Sequence, residues 1–302
     1  MERAALLVQG ISPGKNLIVI DSGDSAASAV AAARAARKSG AKVVLGPVFS
    51  SQVRPVLSVL GASVPVMTFS NDAGLLDSGA FLLGITAEQS VTSILSYAAS
   101  RGVRRIAVGG APDGWGGQVR AAVARNATAL GLFTAAWPFD GRAVSPGAPG
   151  ASGASGDGLP DAVLMPSLAD ALAAAPMLKS QGIQLLGAFQ GLNPDPSALQ
   201  ALGGAWLAAP DPARYARFAD TFEGRNGAWP GIITALAYDA AGIAAQLRRS
   251  GGMDRSAVLV GSGFTAVCGD VRFRENGSAA RNLAILAVTD GQMRTVAVPP
   301  AQ

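Results

Sequence analysis

Short apolar runs alternate along this chain with longer stretches whose apolar residues recur three and four positions apart. That alternation predicts strands interleaved with amphipathic helices. The stretch VVLGPVFSSQVRPVLSVLGASVPVMTFSND, residues 43–72, contains one complete unit. Val43, Val44 and Leu45 form a run too short for a helix, stopped by Gly46-Pro47. Ser50 or Ser51 then stands where an N-cap belongs, ahead of Val53, Val56, Leu57 and Leu60 at helical spacing. Gly61 closes the helix, and 64–69 reads as the next strand before Ser70, Asn71 and Asp72. Parallel strands need such a crossover, and ligands of these sheets gather beyond the carboxyl ends of the strands. The loops 46–51 and 68–72 are therefore expected side by side at one sheet edge. There they offer hydroxyls and helix-start N–H groups to a small polar or anionic ligand.

The same reading extends along the chain. Residues 1–10 look like the tail of an amphipathic helix ending at Gly10, and 16–20 (NLIVI) like a strand. Asp21, Ser22 and Asp24 offer caps to an Ala-rich helix through Lys38, and 42–45 is the second strand. A strand at 80–85 and a helix at 87–100 follow. A second series opens with a strand at 104–108 and a Gly-rich loop, 109–117, with Trp115 at the entry to a helix ending near Leu130. Strands at 133–139, 161–165 and 184–188 come next, with a helix at 168–180. Trp206 and Leu207 mark another strand. Helices near 212–225, 231–249 and 254–260 precede strands at 271–273, 282–289 and 292–298. The last two strands meet at Asp290-Gly291, the signal of a type I′ hairpin.

Such repetition predicts an α/β fold of two lobes, each a Rossmann-like parallel sheet covered by helices. No linker separates the series, so the chain is expected to cross between lobes more than once. The boundaries read from the pattern are 1–100 with 228–262, and 101–227 with 263–302. A helix ahead of the first strand is odd for this architecture, and a preceding strand is expected to be missing from this chain. Residues 140–160, rich in Gly, Ser, Pro and Ala, stand where a crossover helix belongs and read as a mobile loop.

Composition narrows the chemistry. Charged residues are 15% of the 302, below the roughly 25% of ordinary soluble chains. The net charge of +4 comes from scattered Arg and Lys without a basic stripe, which argues against nucleic acid. There is no histidine and a single cysteine, Cys268. An intramolecular disulfide is impossible, and most zinc sites and Ser–His or Cys–His catalytic pairs are excluded. No apolar run of about eighteen residues predicts a membrane span, and residues 1–9 lack a signal-peptide pattern.

The remaining motifs suggest binding more than catalysis. Residues 261–266 (GSGFTA) fit a loose dinucleotide pattern, but a strand is expected after them where the fingerprint needs a helix. Loop 46–51 lacks the lysine of a phosphate loop, so no cofactor is expected. Asp72, Asp113, Asp239 and Asp270 fall in or near the proposed cleft loops without an acid/base signature, and read as caps or turn formers. Tyr238 and Asp239 are expected to contact the other lobe or the hinge. No enzyme activity is expected. Trp115, at a strand's carboxyl end, can wall an apolar ligand; the alternative is a surface tryptophan packed on Pro112. Gln190 and Asn193 are the polar candidates of the second lobe, with solvated turns as the alternative.

The segments VVLGPVFSSQV, VPVMTFSND, RRIAVGGAPDGWGGQV, ALAYDAAG and GFTAVCGDVRFRENG, with the final hairpin, resemble type 1 periplasmic binding proteins of the leucine/isoleucine/valine-binding branch. Within it, GFTAVCGDVRF and NLAILAVTDGQMRTV look most like penicillin-binding-protein activator lipoproteins. The resemblance implies two hinged lobes crossed three times, a ligand in the cleft, and an exported protein whose signal segment is absent here. It places the ligand's carboxylate and amine on Ser50 or Ser51 and on Thr68, Phe69, Ser70 and Asn71. Trp115 matches a tyrosine of the family, and Gln190 falls near an acid that pairs with the ligand's ammonium. The implied partner is an ABC permease, for a solute-binding protein of the cell envelope. The alternative is a cell-wall synthase, for a module that regulates peptidoglycan synthesis by protein contact.

Overall fold

The structure, a computed structural model, describes residues 1–112, 114–136, 159–191 and 195–298. Asp113, Asn193 and nearly all of the expected mobile loop lie outside these residues. In chain order the elements are α1 (Glu2–Ala5), α2 (Ala26–Lys38), β1 (Val44–Leu45), α3 (Ser50–Leu60), β2 (Val66–Thr68) and β3 (Phe81–Leu82). Next come α4 (Ala87–Ser100), β4 (Arg105–Val108), α5 (Gly114–Asn126), β5 (Phe133–Ala136), β6 (Ala162–Met165), α6 (Leu168–Ser180) and β7 (Gln184–Gly187). They are followed by α7 (Pro196–Ala201), β8 (Trp206–Ala209), α8 (Pro212–Asn226), α9 (Ile232–Ser250) and α10 (Arg255–Val258). The chain ends with β9 (Val271–Phe273), β10 (Ala279–Arg281), β11 (Ala284–Thr289) and β12 (Gln292–Ala297).

Among the described residues two compact units result: Met1–Thr86 with Pro212–Asn282, and Ala87–Asp211 with residues 283–298. These boundaries differ from those read off the pattern, and burial gives the reason. Ile94 and Leu95 of α4 are fully buried with Val119 and Val123 of α5, so α4 belongs to the second unit. Phe218 and Phe222 of α8 pack with Leu236 and Ala240 of α9 in the first. Phe273 of β9 packs at a tilt against Phe81 of β3, with ring centroids 5.1 Å apart, which holds residues 263–282 there too.

In the first unit β1, β2 and β3 form a parallel sheet in that order, with Val44 opposite Val66 and Met67 opposite Phe81. Val66 and Leu82 pack against Val53, Val56 and Leu60 of α3, while Met67 and Phe81 pack against α9. Helices on both faces explain why these strands are apolar up to Thr68 at the end of β2. The expected strand at 16–20 does not form: Leu17 makes an isolated bridge to Pro13, and Ile18 and Val19 are each 56% exposed. No other described strand runs beside them, so β-branched propensity has no ladder to join.

The second unit holds a seven-stranded sheet, β12-β11-β8-β7-β6-β4-β5. Its strands are parallel from β5 to β8, and β11 and β12 add antiparallel. Asp290 and Gly291, both at positive φ, make the tight turn between β11 and β12. Strand order reverses at β4, with β5 on one side and β6 and β7 on the other. The carboxyl ends of β4 and β6 thus flank a topological switch point, the usual place for a ligand in such sheets. Among the described residues no helix is long and apolar enough to cross a membrane.

Candidate ligand-binding site

The loops after β1 and β2 are joined directly. Pro47 O accepts from Phe69 N at 3.0 Å and from Thr68 Oγ1 at 2.7 Å. Thr68 Oγ1 in turn accepts from Ser70 N at 3.1 Å. Ser70 Oγ accepts from Asp72 N, and Asp72 Oδ1 accepts from Gly74 N, capping a turn of 3-10 helix. The backbone after β3 closes against this loop at Gly84, where a Cβ would sit 2.4 Å from Ser70 O. Any larger residue there pushes the ledge away.

These bonds sort the expected site residues. Thr68 is fully buried and both roles of its hydroxyl are filled, so it latches the loops together. Phe69 is 5% exposed and its ring belongs to the core. Ser70 is likewise buried. Asn71 is half-buried, and its side chain has no hydrogen-bond partner among the described residues. Neither serine caps α3: the N-cap is Phe49, 57% exposed and without a side-chain cap bond. Ser50 and Ser51 occupy the first turn, and their amides have no partner among the described residues. Two vacant N–H groups at the positive end of the helix dipole form an anion-accepting feature.

Sequence reading missed Gln52, 1% exposed beside them. Its Nε2 donates to Gly23 O at 2.8 Å and its Oε1 accepts from Ser22 Oγ at 3.2 Å, pinning α3 to the turn ahead of α2. Helical spacing was the available signal, because Gln52 shares the buried face of Val53, Val56 and Leu60. The cap of α2 is Ser25, whose hydroxyl accepts from Ser28 N, in place of Asp21, Ser22 or Asp24.

In the second unit, Trp115 lies in the first turn of α5, half-buried against the core on that face. Its Nε1 donates to Ala188 O at 2.8 Å, just past β7. The ring therefore packs inward, away from the loop-top position expected. The glycines around it permit a tight entry, since a Cβ at Gly116 would lie 2.0 Å from Ala111 O. Arg120 of α5 donates to Val108 O, Gly109 O and Gly110 O, fixing the loop at the switch point. Gln190 is exposed two residues beyond Ala188. Trp115 and Gln190 thus lie at the same end of the second sheet, while Ser50, Ser51 and Asn71 lie at the carboxyl ends of β1 and β2.

Asp239 faces its own unit. Its Oδ1 accepts from Val267 N at 2.7 Å and its Oδ2 from Cys268 N at 3.0 Å. Arg214 holds Asp270 with Nη1 to Oδ1 at 2.8 Å. After residues 261–266 comes β9, so the helix a dinucleotide fingerprint needs is not there.

Residues 16–292 match the family of periplasmic binding proteins. The chain belongs to that family. A structure assigned as a branched-chain amino acid ABC transporter from Rhodospirillum rubrum superposes on this periplasmic binding protein with a TM-score of 0.79. Identity is 20%, over 98% of this chain and 94% of that one. A branched chain amino acid ABC transporter periplasmic ligand-binding protein from Burkholderia xenovorans gives 0.71 at 15% identity, covering 99% and 90%. A solute binding protein from R. palustris in complex with benzoate gives 0.65 at 15% identity, covering 100% and 91%. Likeness at this identity establishes the type 1 fold. A comparison with curated proteins found no match. Membership of this family of binding proteins implies a small-molecule ligand and a periplasmic setting.

Proposed function

We propose that this periplasmic binding protein closes its two lobes on a small carboxylate-bearing solute, an amino acid or a derivative, and presents it to an ABC importer. The observation that carries the reading is the pair of vacant amides of Ser50 and Ser51 at the start of α3. A carboxylate there gains charge-assisted hydrogen bonds and the helix dipole together. Asn71, half-buried on the adjoining loop, supplies a further polar contact. Trp115 shapes the second lobe's contribution by holding the end of β7 in place.

Gln190 bears on which carboxylate binds. An amino acid's ammonium facing a neutral amide forgoes a charge-assisted partner, a loss of about 1.5–3 kcal/mol. That weight favours solutes held mainly by their carboxylate, like the benzoate bound by the R. palustris relative. Calorimetry with leucine, isoleucine, valine, benzoate and 4-hydroxybenzoate tests the reading. One saturable one-to-one heat supports it, and silence across the panel contradicts it. The alternative, a contact module for a cell-wall synthase, rests on Gln190 and on residues 141–158, which lie outside the described structure.

A further inference from the structure

A cavity of about 510 Å³ opens within the first unit between α8 and α9, away from the loops after β1 and β2. On α8, Arg214, Arg217, Phe218 and Thr221 line it at spacings of three and four, so one helix face supplies them. On α9, Tyr238, Gly242, Gln246 and Arg249 do the same. Phe218 and Tyr238, with ring centroids 4.8 Å apart, continue into Leu7 and Val8 as an apolar wall.

Charge over this wall is one-sided. Arg214 is held by Asp270. Neither Arg217 nor Arg249 has a carboxylate partner among the described residues. Asp239 is the one acid in the lining, 2% exposed, with its oxygens already accepting from the amides of Val267 and Cys268. The floor is kept open at Gly242, a glycine inside a helix otherwise rich in alanine. Glycine costs a helix stability relative to alanine. Packing does not demand it here, because a Cβ at Gly242 would meet nothing within 4 Å. Its effect is depth in the trough.

We propose that this trough is a second binding site, for an amphipathic anion. A carboxylate or phosphate head meets the guanidiniums of Arg217 and Arg249, which suit planar or tetrahedral oxyanions. The apolar body lies along Phe218 and Tyr238, in a volume ordinary for small-molecule sites. The proposal is independent of the solute site at α3, and neither stands or falls with the other.

The test titrates the full chain with octanoate by calorimetry, with octyl glucoside as the neutral control. In a separate arm, vesicles of phosphatidylglycerol are compared with vesicles of phosphatidylcholine. The expected result is saturable binding in at least one anionic arm and none in the neutral ones. The double variant Arg217→Glu, Arg249→Glu weakens it at least tenfold without changing the melting temperature. Gly242→Leu abolishes it by filling the floor. The octanoate arm assigns a free amphiphile, and the vesicle arm a membrane lipid. No anionic binding in either arm overturns the proposal, as does binding unchanged in both variants or lost in Ser50→Pro instead.

Discussion

Thr68 Oγ1 donates to Pro47 O at 2.7 Å, and this buried bond ties the loop after β2 to the loop after β1. Because the same oxygen accepts from Ser70 N, removing it strands a buried amide. Thr68→Val keeps the volume and loses the hydroxyl. It should lower unfolding free energy by about 1–3 kcal/mol in urea titration. Thr68→Ser should recover most of the loss.

Asp239 and Arg281 hold the backbone of Cys268 through its N–H and its carbonyl. Asp239 accepts from its N–H, and Arg281 donates to its carbonyl at 3.0 Å and to Leu83 O at 2.6 Å. Burial pushes the Asp239 carboxyl up in pKa while the Arg281 guanidinium pulls against it. Asp239→Ala leaves two amides without their acceptor and removes the buried negative charge that faces the Arg281 guanidinium. A loss of about 3–5 kcal/mol is expected from equilibrium unfolding.

Tyr215 donates to Pro230 O at 2.7 Å, and burial, assisted by Cys268, pushes its phenol up to about 12 from 10.0. A folded value above the unfolded one means the contribution to stability is complete below pH 10. It is lost as pH rises from there through 12. Absorbance at 295 nm should show one of the three tyrosines ionising near pH 12. Tyr215→Phe should delete that step.

Trp115 reaches Ala188 O with its indole N–H. Trp115→Phe retains the apolar contact and loses that bond, for about 1 kcal/mol. Trp115→Ala should cost more, about 2–4 kcal/mol, by opening space against the core under α5. Thermal unfolding followed by circular dichroism separates the two.

Local rules made most elements readable. The spans 87–100 and 168–180 end where the helical period ends. Gly61 closes α3, and Asp290-Gly291 turns the final hairpin. The failures share a cause, since they concern partners distant in sequence. Residues 16–20 have strand composition but no described neighbour strand. The helix α7, capped by Asp195, is too short for a period to show. β10 ends on Arg281, a buried cation explained by carbonyls at Leu83, Cys268 and Gly269. At the candidate site the loops were legible, because strand ends and breakers mark them. Which way each side chain faces was not. Thr68 and Trp115 turn inward to bonds with Pro47 and Ala188, and no local pattern announces those partners.

On the proposed function, the start of α3 holds the carboxylate of a transported solute. Calorimetric titration of the carboxylate panel into the native chain and into Ser50→Pro tests this, since proline at the first helical position deletes one vacant amide where helices tolerate it. One-to-one binding of a panel member is expected, weakened about tenfold or more in the variant, with the melting temperature of the free protein unchanged. Equal affinity in the two proteins would contradict it.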